Sequence, residues 1–184
     1  MRGVLKKVRA AKEAALRMGN LPTELKNDAL RKAATSMVEH RGEILEANRK
    51  DVTLAERELK RGKLSRAFVN RLKLDRSKVD GIAKMVESVA ELEDPVGKTL
   101  YACKLDEGLE LYKVSCPIGV VGAIFEARPD VLPQISSLCL KSGNAVILKG
   151  GKEAANSNEI LFRLMKDSTA VSYTHLTLPT KRIV

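Results

Sequence analysis

Residues 118–153 read IGVVGAIFEARPDVLPQISSLCLKSGNAVILKGGKE, and this stretch decides the fold. The apolar runs over 118–125 and 145–148 have strand length and no alternation, so we expect both strands to be buried on both faces. Residues 131–140 between them fit a helix, and a further helix is expected from about Glu153 to Met165. This strand–helix–strand–helix order predicts a parallel βαβ unit.

Upstream of this unit, the first 92 residues show helical spacing. The first helix is predicted from a stripe of Leu5, Val8, Ala11, Ala15 and Leu16, and Gly19 ends it. Further helices are expected from residue 23, over 48–59, over 65–72 and after an N-cap at residue 75. Residues 94–97 (DPVG) then interrupt the pattern, and β-like runs at 99–104 and 109–114 predict a hairpin.

Composition places this chain of 184 residues among globular proteins. Hydrophobic residues make up 44% and charged residues 30%, which excludes a disordered or collagen-like chain. The longest apolar run has ten residues (116–125), fewer than the roughly 18 of a membrane span, so no membrane partner is expected. Cys103, Cys116 and Cys139 have no CxxC spacing, which favours buried, reduced thiols in a cytoplasmic protein. No His/Cys cluster indicates a metal site.

The net charge of +10 is unevenly distributed. Residues 1–75 hold 19 of the 33 basic and 10 of the 23 acidic residues, a balance of +9. Solvated helix faces are one interpretation. A basic helical nucleic-acid-binding protein is the other, although Phe68 is the only aromatic residue there for base stacking.

The turn after the second strand of the unit has the composition of an anion site. Gly150 and Gly151 allow close approach of a ligand, Lys149 and Lys152 flank them, and the helix that follows is expected to offer free N–H groups. Ligands of parallel sheets bind beyond the carboxyl ends of the strands, where this turn lies. The alternative is a glycine-rich turn with two solvated lysines, because neither a P-loop nor GxGxxG is present.

The turn after the first strand of the unit carries Glu126 and Arg128 beside Pro129. An arginine can hold a phosphate or a carboxylate through two hydrogen bonds, so a substrate site is one interpretation. A surface ion pair between the two residues is the other.

Three motifs together resemble the γ-glutamyl phosphate reductase family of the aldehyde dehydrogenase superfamily. They are DPVG at 94–97, FEARPDV at 125–131 and SLCLKSGNAVILKGGKEA at 137–154, and the resemblance extends over residues 1 to about 169. It implies an α/β fold. Residues 1–97 would be the helical portion of a cofactor domain, 98–117 an oligomerisation hairpin and 118–170 the first βαβα part of a Rossmann-like NADP-binding sheet. Residues 171–184 do not fit the family and are interpreted as a foreign tail.

The resemblance also implies a function. The family is an oxidoreductase of proline biosynthesis that reduces γ-glutamyl phosphate with NADPH to glutamate 5-semialdehyde and phosphate. Its catalytic cysteine, which forms a thioacyl enzyme, is expected in a second domain beyond an N-terminal fragment. No catalytic residue and no reductase activity are therefore expected in this chain alone. We expect a cytoplasmic protein that forms a homo-oligomer through the hairpin at 99–114. We expect it to bind no nucleic acid.

Site residues follow from the same resemblance. Lys149 is expected to contact the adenosine ribose. Lys152 stands where NAD-preferring relatives often carry Glu, which favours NADP(H). Arg128 lies at or near the place of the superfamily's oxyanion-stabilising Asn and is expected to hold the acyl phosphate or the developing oxyanion. The implied substrate-binding residues are Glu126 and Arg128, and the implied cofactor-binding residues are Phe125, Lys149, Gly150, Gly151 and Lys152.

Overall fold

The computed structural model describes residues 2–172 and shows a mixed α/β chain. Five helices come first, then a β-hairpin, then two parallel strands that alternate with two helices, which confirms the predicted fold class. Within these residues no helix has the length and apolarity to cross a bilayer. The elements are α1 (Arg2–Met18), α2 (Thr23–Glu39), α3 (Arg41–Lys60), α4 (Arg66–Leu72), α5 (Arg76–Glu91), β1 (Thr99–Asp106), β2 (Leu109–Val114), β3 (Val120–Ile124), α6 (Val131–Lys141), β4 (Ala145–Lys149), a 3-10 turn (Lys152–Ala154) and α7 (Ala155–Ser172).

Side-chain caps begin two of the predicted helices. The Ser65 hydroxyl accepts a hydrogen bond from the Phe68 amide at 3.2 Å, and α4 starts at the next residue. The Asp75 carboxylate accepts one from the Lys78 amide at 2.8 Å and begins α5, as predicted.

Two details of the helical region differ from prediction. Helix α3 begins at residue 41 rather than 48, because Ile44 is fully buried and anchors the earlier turns. In α1 the predicted stripe is wrong for Leu5, Val8 and Leu16, which are exposed. The buried residues of α1 lie in its C-terminal half, which contacts β3 and β4 (Ala11, Ala14, Ala15, Met18).

The main core lies where α2 packs against α5 and α7. Leu30 and Met37 of α2, Val86 of α5 and Leu161 of α7 are all 0% exposed. Removing each such side chain from water stabilises the fold by about 1.5–3 kcal/mol. The core is aliphatic, in keeping with the 3% aromatic content of the chain.

A buried ion pair fixes the linker between α5 and the hairpin. The Lys26 side chain is 1% exposed and pairs with the carboxylate of Asp94. That carboxylate also accepts hydrogen bonds from the Thr23 hydroxyl at 2.7 Å and the Val96 amide at 3.0 Å. Burial raises the pKa of Asp94, but the hydrogen bonds from Lys26, Thr23 and Val96 outweigh burial, so the pKa lies below its ordinary value.

A second buried lysine, Lys141, lies at the end of α6. Its ammonium donates to the Asn27 side-chain oxygen at 2.6 Å and to the Ala90 carbonyl at 2.9 Å. Burial lowers the pKa of Lys141, because the charged form loses water. This side chain therefore links α2, α5 and α6 at one end of the helical layer.

The hairpin is the most exposed element among the described residues. β1 and β2 pair antiparallel, with Cys103 opposite Leu111 and Lys104 opposite Glu110. Both strands are exposed along almost their whole length. At the base, the Ser115 hydroxyl donates to the Pro95 carbonyl at 2.6 Å and accepts from the Lys98 amide at 2.9 Å.

The parallel pair β3–β4 holds the two turns of interest. Val121 pairs with Val146 and Ile124 with Lys149. The start of β4 is buried as predicted, but burial of β3 on both faces is wrong, since Ile118 just before it is 86% and Ile124 79% exposed. Helix α1 contacts both strands and α6 contacts β4, and the described residues supply no cover for the other side of β3.

The two helices of the unit lie close to their predicted positions. α6 spans residues 131–141, and α7 continues to Ser172, past the predicted end at residue 165. It therefore enters the segment 171–184 by two residues. The rest of that segment, 173–184, lies outside the described residues.

Candidate nucleotide-binding site

The carboxyl ends of β3 and β4 lie side by side, as the βαβ prediction required. The Phe125 amide donates to the Lys149 carbonyl at 3.0 Å, one step beyond the last paired residues of the strands. The turns that carry the predicted substrate-binding and cofactor-binding residues therefore start next to each other.

Gly150 and Gly151 lie close to neighbouring side chains at this point. A Cβ atom on Gly150 would overlap the side-chain amide of Asn158 and lie 3.2 Å from the Phe125 ring. A Cβ atom on Gly151 would lie 2.8 Å from a carboxylate oxygen of Glu153 and 3.6 Å from the Ala127 amide. The second glycine thus lies where the two turns meet.

The two flanking lysines are available to a ligand. Lys149 and Lys152 are both exposed, and within the described part of the chain neither forms an ion pair. Exposed ammonium groups beside a backbone without side chains suit a phosphate or a ribose phosphate.

Helix α7 was expected to offer free N–H groups at its start. This is wrong for two of these groups, the amides of Asn156 and Ser157, which already have an acceptor. The carboxylate of Asp51, a residue of α3 that is 1% exposed, already binds there. It accepts hydrogen bonds from the backbone amide of Asn156 at 3.1 Å and from its side-chain amide at 2.7 Å. It also accepts hydrogen bonds from the backbone amide and the hydroxyl of Ser157, both at 2.7 Å. The anion at this helix terminus is therefore part of the chain itself.

Asn48, one turn before Asp51 on α3, extends this buried network. Its side-chain amide donates to the Leu72 carbonyl at 2.8 Å and to the Ser157 hydroxyl at 3.0 Å, and its oxygen accepts from the Leu74 amide at 2.8 Å. The start of α7 is thus fixed to α3 and to the segment between α4 and α5. The glycine turn before α7 is positioned by the same contacts.

The turn after β3 is built around Ala127. This residue is 3% exposed and has a φ of +48°, a left-handed conformation that is strained for a residue with a Cβ. Glu126 and Arg128 on either side are both exposed. The buried Ala127 therefore directs the two predicted substrate-binding side chains outward.

Arg128 pairs with Asp130 and not with Glu126. The guanidinium lies 2.8 Å from the Asp130 carboxylate, and this hydrogen bond and the charge of Asp130 raise the pKa of Arg128. The ion pair considered from sequence therefore has a different partner. Asp130, the residue just before α6, could have been found as an acid two residues from Arg128, but the sequence gave no signal that distinguished it from Glu126 as the partner.

The cysteines are not arranged as nucleophiles. Cys139 in α6 is buried, and burial raises the pKa of its thiol, which disfavours the thiolate. The prediction of burial fails for Cys116, which is exposed, and Cys103 is partly exposed. Among residues 2–172, no group of three or more His, Cys, Asp or Glu side chains could hold a metal ion.

The fold defined by these elements is that of aldehyde dehydrogenases. An NAD-dependent benzaldehyde dehydrogenase from Corynebacterium glutamicum superposes on 96% of this chain with a TM-score of 0.68 at 20% identity, over 34% of its own length. A γ-glutamyl phosphate reductase from Thermotoga maritima is more similar, with a TM-score of 0.88 and 36% identity over 97% of this chain and 42% of that one. The corresponding yeast structure, from Saccharomyces cerevisiae, has a TM-score of 0.89 at 35% identity over 97% of this chain and 45% of that one.

Curated relatives agree with these structures. The γ-glutamyl phosphate reductase of Natronomonas pharaonis is 54% identical over 164 residues, 89% of this chain and 37% of that protein. The protein of the same name from Acetivibrio thermocellus is 51% identical over 86% of this chain and 36% of its own length. Over nearly nine-tenths of its length the chain is homologous to γ-glutamyl phosphate reductase, which confirms the resemblance expected from the motifs.

The chain spans a little over a third of the length of the curated relatives it matches. No protein-family model matches the chain. The nucleic-acid-binding alternative gains no support, because the relatives named above are reductases and dehydrogenases.

Proposed function

We propose that this chain forms the nucleotide-binding part of an NADPH-dependent reductase that converts γ-glutamyl phosphate to glutamate 5-semialdehyde and phosphate, in the cytoplasmic synthesis of proline. The observation that carries the proposal is the sequence identity of 51–54% to γ-glutamyl phosphate reductases over 86–89% of the chain. The bound nicotinamide nucleotide would supply the hydride.

The residues at the two turns suit NADP(H). Gly150 and Gly151 leave a surface without side chains, and a Cβ at either position would meet neighbouring atoms. The buried side-chain oxygen of Asn158, beside Gly150, has no hydrogen-bond partner within the described residues. In the proposed site Lys149 binds the adenosine ribose, Lys152 attracts its 2′-phosphate, and Phe125 borders the same turn.

The phosphate groups of the nucleotide would not bind the start of α7 directly. Asp51 already accepts from the Asn156 and Ser157 amides, and its negative charge would repel a phosphate. The lysine side chains therefore carry the preference for a 2′-phosphate in this proposal. In the adjacent turn, Glu126 and Arg128 are proposed to bind the substrate, with Arg128 stabilising the acyl phosphate or the oxyanion.

A change at residue 152 tests the proposed cofactor. Lys152→Glu replaces an attracting charge by a repelling one, so NADPH should bind at least about tenfold more weakly, whereas NADH should change little. Fluorescence titration of both nucleotides measures this. Lys104→Glu on the hairpin makes the same charge change at an exposed position and should leave both affinities unaltered. An equal loss for NADH and NADPH would contradict the assignment of residue 152.

We also propose that the chain forms a homo-oligomer through the hairpin. The support is the exposed apolar face of the hairpin, on which Tyr101, Leu109 and Leu111 are 48–55% exposed. An exposed patch of this kind, on an edge with unpaired backbone groups, is typical of an interaction surface.

A further inference from the structure

A cleft of about 490 Å³ adjoins the turn after β3: it is lined by residues of α5 and the start of α6 and by Arg128. This volume is in the range of small-molecule sites. The cleft is formed entirely by described residues between 71 and 134, none of which belongs to the turn after β4.

The wall of the cleft carries four cations and one carboxylate: Arg71, Lys73, Lys78, Arg128 and Asp130. Two of the cations are engaged, because Lys73 pairs with Glu56 at 2.9 Å and Arg128 with Asp130. Arg71 has no ion pair within the described residues, and the Lys78 ammonium has only the Lys73 carbonyl as a hydrogen-bond partner, at 2.6 Å. The excess of positive charge favours an anionic ligand.

Part of the lining of the cleft is apolar. Leu74, Ile82 and Met85 line it, and a Cβ atom placed on Gly81 would meet nothing within 4 Å. A lining that combines apolar side chains with ammonium and guanidinium groups suits a short aliphatic chain that ends in a carboxylate. Asp130 can also pair with an ammonium group, so an amino acid fits the charges better than a simple fatty acid.

We propose that Lys78 and Arg71 bind the α-carboxylate of the substrate and so select a glutamate-like amino acid, while the acyl end lies toward Arg128. The proposal rests on the proposed function, from which the identity of the substrate is taken. It adds two specificity-determining residues that lie on α4 and α5, outside both turns.

The test is an NMR titration of the ¹⁵N-labelled 184-residue chain with two probes. L-glutamate carries the α-carboxylate, and 4-aminobutyrate is the same molecule without it. L-glutamate should cause saturable shifts of the amides around Gly81, and 4-aminobutyrate should bind about tenfold more weakly. Equal binding of the two probes, or no saturable shift with L-glutamate, would overturn the proposal.

Two variants with matched controls locate the binding. Lys78→Met should weaken the binding of L-glutamate about tenfold. Lys84→Met changes an exposed position of the same helix outside the cleft and should leave that binding unaltered. Gly81→Met should fill the cleft and abolish the shifts, whereas Gly81→Ala should retain them. Residues 78 and 81 are exposed, and the dispersion of each spectrum reports folding. Unchanged affinity in Lys78→Met would overturn the proposal.

NADPH added to the same samples separates this inference from the proposed function. If NADPH binds and L-glutamate does not, the assignment of the cleft fails while the proposed cofactor stands. If L-glutamate binds and NADPH does not, the proposed function fails although the cleft binds an amino acid.

Discussion

Asp51 is the residue through which the site differs most from the one expected from the sequence. Its carboxylate is buried on α3 and accepts four hydrogen bonds from Asn156 and Ser157. A helix N-terminus attracts anions because its first N–H groups have no partner within the helix. Here a side chain from another helix provides the anion, which fixes α7 and the glycine turn before it.

Removing this carboxylate should be costly. Asp51→Ala leaves four donors without their acceptor in a buried place, so we expect the free energy of unfolding to fall by about 3 kcal/mol or more. Asp75→Ala removes the exposed cap of α5 and is the control, with an expected loss of about 1 kcal/mol. Urea denaturation measures both. Equal losses of unfolding free energy in the two variants would show that burial of the Asp51 carboxylate adds nothing to stability.

Some of the site residues were predictable and others were not. Lys149, Gly150, Gly151 and Lys152 follow from the position of the turn after an apolar strand. Asp51 could not be found, because it lies 105 residues from Asn156 and looks like any other acid on a helix surface. The same holds for the cleft, whose cations come from α4, the linker that follows it, α5 and the turn after β3.

At the scale of elements, the hairpin depends on the linker that precedes it. Asp94 fixes that linker to Lys26 and Thr23 of α2. Ser115 closes the base of the hairpin through the Pro95 carbonyl. A long exposed arm is thereby attached to the helical layer by a small set of polar contacts.

The Asp94 contact predicts a defined pH dependence. Asp94→Asn leaves the buried Lys26 ammonium without its counter-charge, so at pH 7 the free energy of unfolding should fall by about 3–5 kcal/mol. The pKa of Asp94 is lowered in the folded chain from its ordinary value of 3.8. The stability it provides is therefore fully present above about pH 4 and lost as the pH falls through the folded pKa.

The measurement is the difference in unfolding free energy between the wild type and Asp94→Asn across pH. It should be constant near neutrality and shrink below pH 4. Asp28→Asn, which removes an exposed partner 3.4 Å from Arg31, is the control and should cost less than about 0.5 kcal/mol at any pH. A difference that stays constant down to pH 2 would contradict the role of the Asp94 charge.

The exposed apolar side chains of the hairpin should control self-association of the chain. Leu109→Ser combined with Leu111→Ser removes two exposed apolar side chains and should shift the chain toward the monomer in light scattering after size exclusion. The matched variant, Lys104→Ser with Glu110→Ser, changes a cross-strand pair of the same hairpin and should associate like the wild type. Equal association of both variants would count against the hairpin as the interface.

Element order was predictable, but burial was not. The hairpin, both strands of the unit, the short helix near Ser65 and the cap at Asp75 follow from local signals in the sequence. Burial of β3 was mispredicted because an apolar run shows only that a strand can be covered. Ile118 and Ile124 are exposed because cover depends on neighbours that local sequence does not specify.

At the scale of the whole molecule, the basic N-terminal region has a structural explanation. Several of its cations form exposed ion pairs, including Arg61 with Glu58 at 2.7 Å and Lys73 with Glu56 at 2.9 Å. Such pairs contribute little to stability and are typical of a solvated helix surface. The lysines that matter most for the proposed function, Lys149 and Lys152, lie outside this region.

The turn between β4 and α7 is proposed to recognise a 2′-phosphorylated adenosine, and the proposed function depends on this most. Calorimetric titration of the 184-residue chain with adenosine 2′,5′-diphosphate and with adenosine 5′-diphosphate, which are isomers with the same two phosphate groups, tests it most directly. We predict that the 2′,5′-isomer binds about tenfold more tightly and that Lys152→Glu removes the preference. Equal affinities of the wild type for the two isomers would contradict recognition of the 2′-phosphate by this turn.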